Sequence, residues 1–123
     1  MSKELHSLYG SLEDMAYTDT LTRMHNRKLL YEKLKFATKQ ANAGKGQFAL
    51  LIMDLNRFKY INDTLGHHVG DLILQEIALR LQEVLRDCDI TARLGGDEFA
   101  VMLPTIDNVE TATKVVENIR ETL

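Results

Sequence analysis

The chain has 123 residues, with 15 Lys+Arg against 18 Asp+Glu for a formal net charge of −3, and 45% of its residues are hydrophobic. That length holds one domain around one core, and the single cysteine, Cys88, excludes an internal disulfide and a disulfide-stapled secreted fold. No apolar run approaches the roughly 18 residues of a membrane span, the first residues lack the apolar stretch of a signal peptide, and mild acidity excludes nucleic-acid binding through bulk charge. The expectation is a cytoplasmic segment with no membrane contact and no nucleic-acid partner, whatever anchor a longer parent chain carries.

In chain order, residues 2–17 read as a helix with Leu5, Leu8, Leu12 and Met15 in a heptad-like seam. The seam is narrow. It suits a signalling or dimerising helix that enters the domain, and equally a terminal helix lying on it. Residues 1–17 are therefore set apart from a domain over 18–123. Thr18-Asp19-Thr20 offers cap and turn chemistry. A helix follows from Arg27 to Ala43 and ends at Gly44-Lys45-Gly46. Phe48 to Met53 is a continuous apolar run, read as a strand buried on both faces and stopping at Asp54. Residues 57–65 form a short helix or turn, Gly66 and Gly70 bracket a loop, and an amphipathic helix runs from Val69 to Leu85. Ile90 to Leu94 is a strand, Gly95-Gly96-Asp97 a tight turn, and Glu98 to Leu103 a second strand stopped by Pro104. Asn108 to Leu123 is a last amphipathic helix.

From the first strand onward the order is β-α-β-β-α. One more strand completes the split βαβ unit. The fold class is thus α/β (α+β), ferredoxin-like and palm-type, with flanking helices. The chain ends where the next strand is due and reads as a fragment. In that topology the third strand lies between the first and second, antiparallel to both. Asp54 at the end of the first strand then meets Asp97 and Glu98 in the hairpin, and three carboxylates converge. Carboxylates at a sheet end hold hard divalent cations through oxygen, and two such ions can activate a hydroxyl and stabilise a leaving phosphate. As isolated residues they are ordinary strand-end and turn acids. Gly95-Gly96 lets backbone approach a ligand closely, or simply makes a two-residue hairpin turn.

Residues 56–71 are dense in polar groups directly after a buried strand, where sites collect. Asn62 and Asp71 together can read a purine edge, the carboxylate accepting from guanine N–H groups; singly they are a turn Asn and a helix-start Asp. His67 and His68 have no second ligand at zinc spacing.

Arg93-Leu94-Gly95-Gly96-Asp97-Glu98-Phe99 resembles the signature of the GGDEF domain of diguanylate cyclases. Three further blocks resemble the family in order: Asp19 to Arg27, Asp54 to Asp63, and Gly66-His67-His68-Val69-Gly70-Asp71. The resemblance covers residues 17–123. It implies condensation of two GTP into cyclic di-GMP with release of two pyrophosphates, in a homodimer whose two sites face each other. It implies Mg²⁺ (or Mn²⁺) held by Asp54, Asp97, Glu98 and the Leu55 carbonyl, with Asp97 and Glu98 as the catalytic acids acting on the 3′-hydroxyl. Phe58, Lys59, Asn62, His67, Asp71, Gly95 and Gly96 would contact GTP. Arg86-Asp87-Cys88-Asp89 matches the family's R-x-x-D inhibitory site, in which Arg86 and Asp89 would bind cyclic di-GMP as product. Arg23 and Asn56 depart from the frequent Gly and Asp. The family's next strand, and a later basic residue that contacts phosphate, have no counterpart here, so this piece is expected to turn over weakly or not at all. An upstream sensor domain in the parent chain is implied. The rival readings are a GTP or cyclic di-GMP sensor without turnover, and a dimerisation piece driven by residues 2–17.

Overall fold

The computed structural model describes residues 16–123. The helix expected over 2–17 lies outside the described residues except for Ala16 and Tyr17, which are helical. The elements that follow are β1 (His25–Asn26), α1 (Arg27–Asn42), β2 (Gln47–Asp54), α2 (Phe58–Leu65), α3 (His67–Val84), β3 (Ile90–Gly95), β4 (Glu98–Ile106) and α4 (Val109–Thr122). The sheet order is β1-β3-β4-β2. β4 lies between β2 and β3 and is antiparallel to both, the arrangement that the β-α-β-β-α order calls for.

β4 explains the two layers. Its side chains alternate with period two. Phe99, Val101 and Leu103 face one cluster with Leu74, Ala78 and Leu81 of α3 and Ile119 of α4. Ala100 and Met102 face the other, with Leu30 and Ala37 of α1 and Ala92 of β3. Residues 99–101 and Leu103 are 0% exposed, and fully burying a side chain such as Phe99 or Leu103 contributes roughly 1.5–3 kcal/mol. Asn26 caps α1 by accepting from the Leu29 amide at 3.2 Å, and Asn108 caps α4 by accepting from the Thr111 amide at 3.1 Å.

Four details differ from the sequence reading. β2 is an edge strand rather than one buried on both faces: Leu50 and Ile52 are 40% and 54% exposed. The buried residues of α1 pack on the two inner strands, with Phe48 the residue of β2 that joins them. Pro104 does not stop β4. Ala49 pairs with Leu103 and Gln47 with Ile106, so Pro104 and Thr105 form a bulge opposite Phe48, where a missing N–H costs no ladder bond. Gly66 and Gly70 do not bracket a loop. Gly66, at φ 93°, turns the corner between α2 and α3, and Gly70 is buried inside α3. Finally, β1 pairs in parallel with β3, His25 opposite Ala92; two residues carry no periodicity that a sequence could display. Among the described residues no helix is long and apolar enough to cross a membrane.

Candidate active site

The site is assembled by strand register. Asp54, the last residue of β2, is the Cα partner of Glu98, the first of β4. The next amide, Leu55 N–H, donates to the Asp97 carbonyl at 3.3 Å. Asp54, Asp97 and Glu98 are thereby brought to one end of the sheet from positions more than 40 apart in sequence, as the topology requires. The turn between them is built on Gly95 (φ 145°) and Gly96 (φ 50°), a backbone that side-chain-bearing residues rarely adopt. A bulge between Arg93 and Gly95 tilts the turn. Two arginines hold its backbone. Arg27 Nη2 donates to the Leu94 carbonyl at 3.2 Å, and Arg93 donates to the Gly96 carbonyl from Nε at 3.1 Å and Nη2 at 2.9 Å.

Asp54 is exposed, and Asp97 and Glu98 are half-buried. Among the described residues none of the three enters an ion pair, and no three His, Cys, Asp or Glu side chains close on one point as a ready cage. The expected convergence is one of backbone position, not of a preformed three-carboxylate ligand set. The donors on offer are all oxygen and unneutralised. They fit a hard divalent cation that completes its shell with water and substrate phosphate, and they do not fit a sulfur- or imidazole-seeking metal. The Leu55 carbonyl accepts only a long bond from the Phe58 amide, 3.4 Å, and keeps a lone pair for such an ion.

The residues beyond β2 divide into two groups. Lys59 on α2 and His67 at the start of α3 are exposed. Phe58 is 7% exposed and belongs to the main core, so its place is the floor of the region rather than an open contact surface. It shares the wall of a cavity of about 700 Å³ with Asp54, Leu55 and Asn56. Asn62 and Asp71 come from different helices, and Gly70 lets those helices meet. A Cβ on Gly70 would collide with Asn62 Oδ1 and lie 3.2 Å from Phe58 Cζ. Only glycine lets α2 approach α3 so closely that the Asn62 amide rests beside the residue preceding Asp71.

At the other end of β3 the R-x-x-D pair is closed on itself. Arg86 Nη2 donates to Asp89 Oδ1 at 2.8 Å, Arg86 Nε to both carboxylate oxygens at 3.2 Å, and the Arg86 amide to Oδ2 at 2.9 Å. The Asp89 side chain is 1% exposed. Arg86 also donates to the Thr105 carbonyl at 3.2 Å. The hydrogen bond to Asp89 raises the pKa of Arg86, against an opposing effect of burial. A cavity of about 230 Å³ adjoins the pair, with His25, Gln82 and Thr91 in its wall. Burial, then Lys33, lowers the pKa of His25 from 6.5 and favours the neutral imidazole. The pairing expected for Asp89, acceptance from a guanine, is taken by Arg86 in this state.

Sequence reasoning gave no role in the site to Asp19, Arg27, Arg93 or Gly70. The signal was present, because all four stand in the matched blocks. Asp19 and Arg93, however, are 74 residues apart, and only the fold shows that they touch, at 3.2 Å.

The family described as "Diguanylate cyclase, GGDEF domain" matches residues 16–123. The chain belongs to this family. It is 44% identical over 110 residues to diguanylate cyclase TpbB of Pseudomonas aeruginosa, a match covering 89% of this chain and 25% of TpbB. The solved GGDEF domain of TpbB superposes with a TM-score of 0.81 at 43% identity, over 85% of this chain and 61% of that one. The coiled coil and GGDEF domain of DgcB from Caulobacter crescentus, solved with c-di-GMP, gives a TM-score of 0.88 at 30% identity, over 95% of this chain and 61% of that one. The chain spans 25% to 33% of the length of the first curated relatives it matches.

Proposed function

We propose that the chain is the GTP-binding and catalytic part of a diguanylate cyclase that makes cyclic di-GMP from two GTP in a homodimer. The observation that carries this reading is the Asp54–Glu98 pairing beside the Leu55–Asp97 bond. It brings three carboxylates, none of them ion-paired among the described residues, to the rim of a glycine turn. Each GTP 3′-oxygen would bond to the α-phosphorus of the GTP on the facing protomer. The α–β bridging bond breaks, and pyrophosphate leaves with its electron pair. Bound Mg²⁺ or Mn²⁺ would lower the hydroxyl pKa and neutralise phosphate charge. Asp54, Asp97, Glu98 and the Leu55 carbonyl would hold that ion. Asp97 would take up the hydroxyl proton with Glu98 as the acid beside it, Lys59 would meet phosphate, and His67 would line the nucleotide's surroundings. Asn62 and Asp71 would read guanine. The backbone at Gly95 and Gly96 leaves room for the nucleotide to lie close. Since Phe58 is core, it would support this site from below.

Arg86 and Asp89 are the product-inhibition site of the same reading. A phosphate of cyclic di-GMP competes with Asp89 for the Arg86 guanidinium. Product binding therefore requires the closed pair to open, which sets a cost on inhibition. The names of relatives such as diguanylate cyclase TpbB support the cyclase half, and the DgcB complex supports binding of c-di-GMP by a domain of this kind.

The test is turnover: purified chain, GTP and Mg²⁺, with cyclic di-GMP detected by mass spectrometry and Asp97→Ala as control. Product that disappears in the control supports the cyclase. If no product forms but GTP or cyclic di-GMP binds, the assay is repeated on a chain extended by about 45 residues, about the remainder of a domain: product there supports the cyclase, and its absence makes the chain a sensor module.

A further inference from the structure

The Gly95–Glu98 hairpin is the most pliant turn of the candidate site, because two adjacent glycines carry it. Three donors nonetheless fix its carbonyls, and they come from three directions: Arg27 on Leu94, Arg93 on Gly96 and the Leu55 amide on Asp97. Arg93 differs from the other two in having a second partner. While Nε and Nη2 hold the Gly96 carbonyl, Nη1 lies 3.2 Å and 3.3 Å from the two Asp19 oxygens. Asp19 is itself fixed. Its Oδ2 accepts from the Thr22 amide at 2.9 Å and the Thr22 hydroxyl at 2.8 Å, and its own amide donates to the Met24 carbonyl at 2.7 Å. Met24 is 1% exposed, in the core. The Arg93 and Asp19 side chains are 15% and 19% exposed, sheltered enough for the pair to escape most screening.

We propose that Arg93 is a positioning residue of the cyclase site: it ties the Gly96 peptide, and with it the direction of the adjacent Asp97 carboxylate, to the turn at Asp19–Met24. The inference rests on the reading of Asp97 as a reacting group. Its physical basis is the planar guanidinium, which offers parallel donors to two partners at once; the ammonium of a lysine is a single point. Asp19 stands two residues after Tyr17, the last helical residue before the turn. A displacement of that segment reaches the hairpin through one side chain. Through the Gly96 peptide, Arg93 acts on the reaction by way of the adjacent Asp97.

The experiment compares Arg93→Ala, Arg93→Lys and Asp19→Asn with the unmodified chain by amide hydrogen exchange, GTP binding and steady-state kinetics. Asp19→Asn serves as the second variant because it removes the charge while leaving an oxygen for Thr22. Exchange in a peptide over 94–100 should quicken about tenfold in Arg93→Ala and Asp19→Asn, with peptides of α3 and α4 unchanged. GTP affinity should move less than about threefold while kcat falls about 10–100-fold, the cost of a small misplacement of a reacting group. Arg93→Lys should fall between. Hairpin exchange that is unchanged, or that rises in step with α3 and α4, overturns the proposal, as does a raised KM at unchanged kcat. If neither the unmodified chain nor the extended one makes cyclic di-GMP, the cyclase reading fails on that result, and local exchange alone decides whether Arg93 holds the hairpin.

Discussion

The two ends of β3 hold acidic residues in opposite conditions. Before the strand, Asp89 is buried and fully engaged by an arginine three residues away. After it, Asp97 and Glu98 meet Asp54 through strand register and find no cation among the described residues. A carboxylate with its counter-ion inside the same turn is satisfied by local geometry. Carboxylates delivered to one sheet end by separate strands have no such partner built in and offer oxygen ligands to an external cation. The first arrangement resists a ligand and the second invites one. On the proposed reading, product must displace a bond at one end, whereas metal and substrate complete a shell at the other.

The largest effect expected is at the open end. Asp97→Ala should lower cyclic di-GMP formation by about 10³-fold or to background, on the scale of removing a group that stabilises charge in the transition state. Turnover within tenfold of the unmodified chain would break the contrast between the two ends.

Gly70→Ala sharpens it from the side of the nucleotide. The new methyl collides with Asn62 Oδ1, and the amide must swing away from Asp71. We expect GTP binding weakened about tenfold, the worth of one lost directional contact, with stability lowered by about 1–3 kcal/mol from overpacking near Phe58. Isothermal titration calorimetry and chemical denaturation read the two separately. Stability loss without loss of affinity would remove Asn62 from the guanine-reading pair.

At the closed end, Arg86→Ala strips the buried Asp89 carboxylate of its guanidinium. Stability should drop by about 1–3 kcal/mol, the usual penalty for an orphaned buried acceptor, and cyclic di-GMP should no longer inhibit. An Arg86→Ala chain still inhibited by product would show that the pair is purely structural.

The smallest effect concerns acid. Burial alone would raise the pKa of Asp19, but hydrogen bonds from Thr22 and the charge and hydrogen bonds of Arg93 outweigh it and hold the group below 3.8. Its folded value lies under its unfolded value. The stability it contributes is therefore complete above 3.8 and lost as pH falls through the folded value. As pH falls from about 4 to about 2, the melting temperature of the unmodified chain should fall more steeply than that of Asp19→Asn. Parallel curves would mean that Arg93 and Thr22 do not hold Asp19 in solution.

Much of this was legible beforehand. The β-α-β-β-α order, with the third long strand in the middle, followed from the apolar runs and the single turn at Gly95-Gly96. Asp54 against the hairpin followed from that order, because an antiparallel middle strand leaves only one end at which they can meet. The misreadings share a cause. Phe48 to Met53 looks like an inner strand, since hydropathy cannot tell which strand ends up at the edge. Pro104 looks like a stop, since a bulge exists only relative to the opposite strand. Gly70 looks like loop, since its reason for being glycine lies on another helix, in Asn62.

The sequence alone determined which reactive side chains the chain carries and, through period and turn residues, the order in which it presents them. These are local properties, fixed by side-chain type and backbone freedom. Only the tertiary structure decided that Asp89 is spent on Arg86 while Asp97 is not. Only it decided that Arg93 grips Asp19 and Gly96 together. Such contacts depend on distances between segments far apart in the chain, and those distances are set when the two faces of the sheet are packed.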